Sequence, residues 1–284
     1  MGENQKDEFY VGYQAKAPAA YARRIRLFIF GLLLAIPLLT FVITKSESDF
    51  LTSTFELGQL TELEGVLTME PVPMLKMNYG NDVKGNPVYQ SVLLIGFGKF
   101  GAEATIAAIE EKMDKKLEGK RVRLKGTLIY HDGKTLLEMT QKDKAVVEIM
   151  EPVILQSSKR ELGEMELTGE IADPKCFFGV MKPGAGKPHR SCAVRCISGG
   201  IPPVLKSANR IHEHQYFLLK GSDGEVINEE LLTFVGEGVK LTGQLSQVDD
   251  WFVLKIDPQL ITRTTPFLLG NAPMCNDEGA LTNR

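Results

Sequence analysis

At 284 residues the chain is long enough for two ordinary domains, and its 43% hydrophobic and 24% charged residues are typical of a globular protein. The 33 basic and 36 acidic residues are well mixed and leave a formal net charge of −3. A protein that binds nucleic acid needs a basic surface to neutralise phosphates. The composition therefore argues against a nucleic-acid partner.

An uncharged apolar run near the N-terminus, residues 27–44, predicts a transmembrane helix. At about 1.5 Å per residue, the run just crosses a hydrocarbon core of about 30 Å. Four basic residues precede the run, whereas the single basic residue just after it is closely followed by two acidic ones: Lys16, Arg23, Arg24 and Arg26, then Lys45, Glu47 and Asp49. The positive-inside rule places residues 1–26 in the cytoplasm as a short tail and the rest of the chain on the far side.

A cleaved signal peptide is the alternative for the same run. The run is longer than the usual apolar core of a signal peptide, and the Thr-Lys-Ser-Glu-Ser stretch at residues 44–48 has no small-residue cleavage site. We therefore predict an uncleaved, single-pass anchor, so that the membrane is one partner of the chain.

A short pattern, G-x-x-V-x-L-x-G-x-L, occurs twice, at residues 119–128 and 236–245. Each copy continues across a polar turn into another apolar segment, at residues 135–139 and 252–256. Alternating apolar residues on both sides of a polar turn predict a β-hairpin. The two copies therefore predict an internal repeat.

Further elements are predicted before each hairpin. Alternation predicts strands at residues 63–67 and 91–95 in the first copy, and at residues 167–171 and 215–219 in the second. Apolar spacing of three and four predicts helices at residues 104–117 and 227–235. This order of strands, a helix and a closing hairpin resembles the OB-fold, a partly open five-stranded barrel whose helix lies between its third and fourth strands.

The predicted fold class is mainly β with short helices, with one N-terminal transmembrane helix followed by two tandem OB-like β-barrels. We assign the first OB-like domain to residues 55–150 and the second to residues 160–262, with a linker at residues 149–162. Residues 263–284 form a C-terminal tail. A repeated β-sandwich is the alternative architecture.

The two copies differ in the connection that follows the first strand. In the second copy this connection, residues 173–203, holds three of the four cysteines and one of the four histidines. Loops of a barrel of this type form its usual binding face. The sequence therefore predicts that the functional site lies in this loop.

Part of this loop is predicted to be a helix of about three turns. Pro188 suits the first helical residue, and the glycines at positions 199–200 suit the end of the helix. His189, Cys192 and Cys196 are then spaced i, i+3, i+7 and share one helix face.

A metal site is one interpretation of these residues. Cys176 lies across a turn from the predicted helix and would join His189, Cys192 and Cys196 as a fourth ligand. This ligand set suits a copper or zinc ion or an iron–sulfur unit. The overall spacing C-x₁₅-C-x₃-C is not one of the standard patterns of structural zinc sites, which favour C-x₂₋₄-C pairs.

Two other interpretations remain open. Disulfides are the default for cysteines of an exported protein, and Cys176 would pair with one helix cysteine while Cys275 pairs with the other. Alternatively, Cys192 or Cys196 is a reactive thiol, with His189 and Arg195 favouring its thiolate.

Four residues are candidate accessory groups. Met181 is a soft ligand that favours copper, and Cys275 supplies a further thiol. His212 and His214 have the i, i+2 spacing that places both imidazoles on one face of a strand, as a metal pair or as outer partners of the site.

A glycine pattern follows one of the predicted strands. Gly96, Gly98 and Gly101 match the G-x-G-x-x-G fingerprint of dinucleotide-binding proteins. The surrounding elements are not a βαβ unit, so we predict a turn between a strand and a helix.

The segment from Lys175 to Pro203 reads K-C-x-x-G-x-M-x-P-G-x-G-K-x-H-R-x-C-A-x-x-C-I-x-G-G-I-P-P. It resembles a segment of uncharacterised bacterial membrane-anchored proteins. The resemblance covers about a tenth of the chain and implies a bacterial envelope setting, with no activity or ligand attached. In that setting, the anchor lies in the cytoplasmic (inner) membrane and the barrels are periplasmic or extracytoplasmic.

The prediction from sequence is a tethered exported protein that binds a metal or redox cofactor through the Cys/His loop, or delivers it to a neighbouring envelope complex. Motifs for hydrolysis, such as H-E-x-x-H or a Ser/His/Asp order, do not occur, and we lean towards a non-enzyme. One alternative is an assembly or scaffold subunit whose loop is stapled by disulfides and presented to another envelope protein. The other is a thiol–disulfide redox protein.

Overall fold

A computed structural model describes residues 19–47, 53–85, 87–151, 158–211 and 214–264. The chain forms two compact units, residues 1–52 and residues 53–284. The described part is mainly β, with one apolar helix near the N-terminus. The prediction of a mainly β chain with an apolar N-terminal helix is therefore confirmed.

The N-terminal helix, α1, spans Ala19–Glu47 and contains the apolar run. Its stretch Tyr21–Ile43 is long enough and apolar enough to cross a membrane. A signal sequence near an N-terminus has the same length and apolar character. The apolar helix is confirmed, whereas its retention as an anchor and its orientation stay predictions.

The first sheet closes into a five-stranded barrel. Its strands are β1 (Ser53–Phe55), β2 (Thr61–Thr68), β3 (Met74–Asn81), β4 (Pro87–Gly96), β5 (Arg121–His131), β6 (Lys134–Met139) and β7 (Val146–Met150). Antiparallel pairs join β5 to β2, β2 to β3 and β3 to β4, a parallel pair joins β4 to β6, and β6 returns to β5. Strands β1 and β7 add to β5 outside this ring.

The second sheet has the same pairing order. Its strands are β8 (Lys159–Ala172), β9 (Val204–Ile211), β10 (His214–Gly221), β11 (Gly238–Val248), β12 (Trp251–Ile256) and β13 (Thr262–Arg263). The ring runs from β11 through β8, β9, β10 and β12 and back to β11, with β10 and β12 parallel. Strand β13 pairs with β11 outside the ring.

Each sheet is accompanied by a helix between its third and fourth ring strands. In the first sheet this is α2 (Glu103–Met113), which buries Ile106 and Ile109. The helix α3 (Arg190–Ser198) lies in the long connection between β8 and β9. The second sheet has the short α4 (Asn228–Leu231) between β10 and β11.

Three apolar clusters form the interior. One lies within the first barrel and one within the second. The third joins the two barrels, because Leu93 and Ile129 of the first pack with Trp251, Cys176 and Cys196 of the second. The interface between the barrels is therefore built like a protein core.

Buried polar contacts also cross this interface. The Trp251 indole N–H donates to the Ser91 carbonyl at 2.8 Å. The Lys76 ammonium contacts the Asp249 carboxylate at 2.8 Å, and both side chains are buried. The turn between β11 and β12 is thus held against the first barrel.

Several sequence predictions change in detail. Strand β3 was missed, because its apolar residues follow a proline-rich stretch that we assigned to a connection. Helix α2 is shorter than predicted because it ends at Asp114 in the left-handed conformation (φ 50°). Helix α4 is a single turn. Residues 152–157 of the predicted linker and 265–284 of the predicted tail lie outside the described residues.

Candidate functional site

The site is built on the connection from β8 to β9. A short π-helical turn, Cys176–Val180, follows β8, and α3 comes after the next turn. The predicted helix is confirmed, although it begins at Arg190 with His189 as its N-terminal cap, slightly later than Pro188. Cys196, in the second half of the helix, is buried, whereas Cys192, in the first turn, is partly exposed.

The glycines that end α3 bring this helix against the first barrel. The Gly101 amide donates to the Gly199 carbonyl at 2.9 Å. A Cβ atom on Gly199 would lie 1.9 Å from the carbonyl oxygen of Lys99, so only glycine permits this approach. The predicted turn at residues 96–101 is therefore packed on the end of α3.

Three sulfur atoms meet at this junction. The Sγ atoms of Cys176, Cys192 and Cys196 all lie within 4.8 Å of one another, and those of Cys176 and Cys192 are 3.8 Å apart. All three are free thiols, so the predicted disulfide is not found among the described cysteines. The helix face that we predicted for Cys192 and Cys196 does present both sulfurs towards Cys176.

The His189 imidazole belongs to a second, overlapping group. Its Nε2 atom lies 3.2 Å from Asp173 Oδ2, and both side chains are buried. The other Asp173 oxygen accepts the Cys176 amide at 2.8 Å. Ligand atoms of Asp173, Cys176 and His189 lie within 4.8 Å of one another, so Cys176 is shared between the two groups. The structure thus groups His189 with Asp173 rather than with Cys192 and Cys196.

The first barrel contributes a cation that contacts one of the sulfurs. The Lys99 ammonium lies 3.3 Å from Cys192 Sγ, whereas the sequence pointed to cations within the loop itself. The loop that carries Lys99 is held by buried Lys175, whose ammonium contacts Glu138 Oε1 at 2.5 Å and the Gly98 carbonyl. Glu138 in turn accepts the Gly98 amide at 3.2 Å. A buried ion pair therefore positions Lys99 beside the thiols.

The three thiols are not equivalent. A hydrogen bond from the Cys176 thiol lowers the pKa of Cys196, and the positive charge of Lys99 acts in the same direction. The same hydrogen bond, together with burial, raises the pKa of Cys176. Of these two sulfurs, Cys196 is thus the one that loses its proton first, and metal binding would have to displace the proton of Cys176.

The sulfurs lie at one side of a pocket of about 610 Å³. Its other walls come from both barrels and are largely apolar, with Phe55, Leu57, Leu60, Phe97, Val180 and Met181 among them. Lys99, Lys175 and Glu138 supply its charged groups. Pockets of this size, at an interface between packed units and with a few convergent polar groups, are typical of small-molecule sites.

The predicted accessory residues have different outcomes. Met181 lines the pocket together with the three cysteines. His212 and Cys275 lie outside the described residues, and His214 begins β10 with its side chain outside the described part. Their roles stay predictions.

Sequence reasoning missed Asp173, Lys99 and the Lys175–Glu138 pair. Asp173 carried a local signal, since an acidic residue stands directly after β8 and three residues before Cys176. Lys99 carried none, because it is 93 residues from Cys192 and reaches it only through the packing of the barrels. No protein-family model matches this chain, and no curated protein matches it.

Proposed function

We propose that this protein binds a soft metal ion through the thiolates of Cys176, Cys192 and Cys196, and holds or delivers that ion for a neighbouring envelope complex. The observation that carries the proposal is the convergence of three free sulfurs within 4.8 Å at one side of a pocket. Thiolates prefer copper(I), zinc and iron–sulfur units over hard cations.

The spacing of the sulfurs favours a single ion. In a tetrahedral site with metal–sulfur bonds of about 2.3 Å, neighbouring sulfurs lie about 3.8 Å apart. The Cys176 and Cys192 sulfurs lie 3.8 Å apart, which matches this separation. Copper(I) or zinc therefore suits the site better than an iron–sulfur cluster, whose cysteine ligands surround a larger core.

The His189–Asp173 pair supports the same site from outside. Buried carboxylate–imidazole pairs next to metal ligands hold those ligands in position. Asp173 accepts the Cys176 amide at 2.8 Å, so the pair orients the backbone that carries one of the sulfurs. His189 is grouped with Asp173 and Cys176 rather than with the three sulfurs, so we assign it this positioning role and leave the metal to the cysteines.

We propose that the site lies in an exported, membrane-anchored protein with two barrels. The two sheets share one pairing order, which supports an interpretation as tandem OB-like barrels. The apolar helix α1 and the charges that flank it support a single-pass anchor in a bacterial cytoplasmic membrane, with the barrels exported. The resemblance of residues 175–203 to bacterial membrane-anchored proteins is consistent with this placement.

The test is elemental analysis of the full chain, extracted from membranes without chelator. We expect close to one copper or zinc ion per chain, and loss of more than nine-tenths of it in Cys176→Ser and in Cys192→Ser. Cys275→Ser is the matched control, since it removes a cysteine from the tail, and should keep the ion. Metal-free protein, or equal loss in all three variants, would refute the metal site.

A second candidate function is thiol–disulfide exchange, favoured by the 3.8 Å approach of the Cys176 and Cys192 sulfurs. In this reaction the two thiols lose two protons and two electrons to the disulfide of a partner, which is reduced to two thiols. Reversible loss of two alkylatable thiols with a glutathione disulfide buffer, in protein free of metal, would favour this candidate over the first.

A further inference from the structure

The mouth of the pocket is surrounded by exposed apolar side chains from both barrels. Leu57, Phe97 and Met181 line the pocket yet remain 77%, 51% and 45% exposed. Large apolar groups grouped around a pocket mark a place where a ligand or partner covers them. These three side chains form the rim of the pocket.

The chemistry of the pocket differs from one side to another. Most of its walls are apolar, whereas one side presents three sulfurs with the Lys99 ammonium beside Cys192. A molecule that fills the pocket therefore places an apolar body against the rim and a soft or anionic group beside the sulfurs. The volume of about 610 Å³ is ample for one aromatic ring with its substituents.

The metal ion proposed for this site limits which chemical group of a ligand can lie beside the sulfurs. Three thiolates leave a four-coordinate ion with one open position, and all three cysteines line the pocket. A soft ion held by sulfur prefers another sulfur donor. The Lys99 ammonium, 3.3 Å from Cys192 Sγ, offsets part of the negative charge that a further thiolate would add.

We propose that the pocket binds a small apolar thiol, whose sulfur becomes a further ligand of the metal and whose apolar body lies against the rim. This inference rests on the proposed metal site. As the metal–sulfur bond forms, the incoming thiol releases its proton to solvent, and no electron is transferred. The chain would then hold its metal together with a ligand, or pass the metal to an apolar thiol carrier.

The test uses the full chain in lipid nanodiscs, loaded anaerobically with Co²⁺, whose visible absorption reports the number of thiolate ligands. Phenylmethanethiol and 2-mercaptoethanol are titrated separately as probes. We expect phenylmethanethiol to bind at least tenfold more tightly, because only its ring buries apolar surface against the rim. Equal affinities for the two thiols, with Co²⁺ bound normally, would overturn the inference.

Two phenylalanines of one loop supply matched variants. Phe97→Ser removes a rim residue. It should weaken the binding of phenylmethanethiol about fivefold, because part of the apolar contact is lost, and should leave the affinity for 2-mercaptoethanol unchanged. Phe100→Ser removes a side chain that is 62% exposed in the same loop but does not line the pocket, and should change neither affinity.

If Phe97→Ser and Phe100→Ser weaken the binding of phenylmethanethiol equally, the proposal that its ring lies in this pocket is also overturned. Failure of the wild-type chain to bind Co²⁺ has a different meaning, because it refutes the proposed metal site itself. The two proposals therefore fail in distinguishable ways.

Discussion

His189 acts at the scale of single residues, through its contact with a fully buried carboxylate. Asp173 has no exposed surface, and its Oδ2 atom lies 3.2 Å from His189 Nε2. Removal of the imidazole would leave that oxygen buried without this partner. Loss of one partner of a buried polar pair costs about 2 kcal/mol.

We therefore expect His189→Ala to lower the free energy of unfolding by about 2 kcal/mol while the chain keeps its metal, since the three sulfurs form a group without the imidazole. Urea denaturation followed by circular dichroism, with elemental analysis of the same sample, measures both quantities. Lys187→Ala, an exposed change close to the same helix, should alter stability by less than about 0.5 kcal/mol. Loss of the metal in His189→Ala would instead make the imidazole a direct ligand.

The proximity of Cys192 and Cys196 was predictable from the sequence, whereas the partner of His189 was not. Cys192 and Cys196 share a helix face because four residues make about one turn, so local geometry alone predicted their proximity. The preference of His189 for Asp173 was not predictable in the same way. It depends on how the turn after β8 folds back over the start of α3, and short loops carry no periodic signal.

At the scale of elements, α3 is tied to the barrel by one carboxylate. Glu237 accepts the Arg190 guanidinium at 2.6 Å, and it accepts Arg263 of β13 at 2.6 Å as well. The hydrogen bond from Arg263, with a smaller contribution from Arg190, lowers the pKa of Glu237 below its usual value of 4.5. The ionised carboxylate thus joins the start of the cysteine helix to the end of the second sheet.

This lowered pKa predicts a pH dependence. A carboxylate with a depressed pKa in the folded state stabilises that state above its unfolded pKa, and the contribution disappears as the pH falls through the folded value. The wild type should therefore be more stable than Glu237→Gln by a constant amount above pH 4.5, and the difference should vanish in stronger acid. Urea midpoints of both proteins between neutral pH and pH 3 provide the measurement, and a difference that grows in acid would contradict the assignment.

At the scale of the whole molecule, one apolar cluster joins the barrels. Trp251 is fully buried in this cluster and donates a hydrogen bond to Ser91 of the other barrel. The cluster also contains Cys176 and Cys196, so the packing that joins the barrels supports the site as well. Coupling of this kind makes the two barrels unfold together.

We expect the described part from residue 53 onwards to unfold in one transition, and Trp251→Ala to destabilise both barrels by about 4 kcal/mol. Hydrogen exchange measured by mass spectrometry follows peptides of each barrel separately. Leu260→Ala, which truncates a side chain that is 65% exposed, serves as the control and should leave exchange unchanged. Faster exchange confined to the second barrel in Trp251→Ala would show that the barrels are independent.

By itself, the amino-acid sequence determined the apolar N-terminal helix, the two β-hairpins and the helix that carries Cys192 and Cys196. Each of these depends on residues close together in the chain, where the period of a helix or strand acts directly. Only the tertiary structure decided that Lys99 contacts Cys192, that His189 pairs with Asp173, and that apolar side chains of both barrels line one pocket with the three cysteines. Those contacts arise when two barrels bury a shared cluster, and the free energy of that packing depends on residues far apart in sequence.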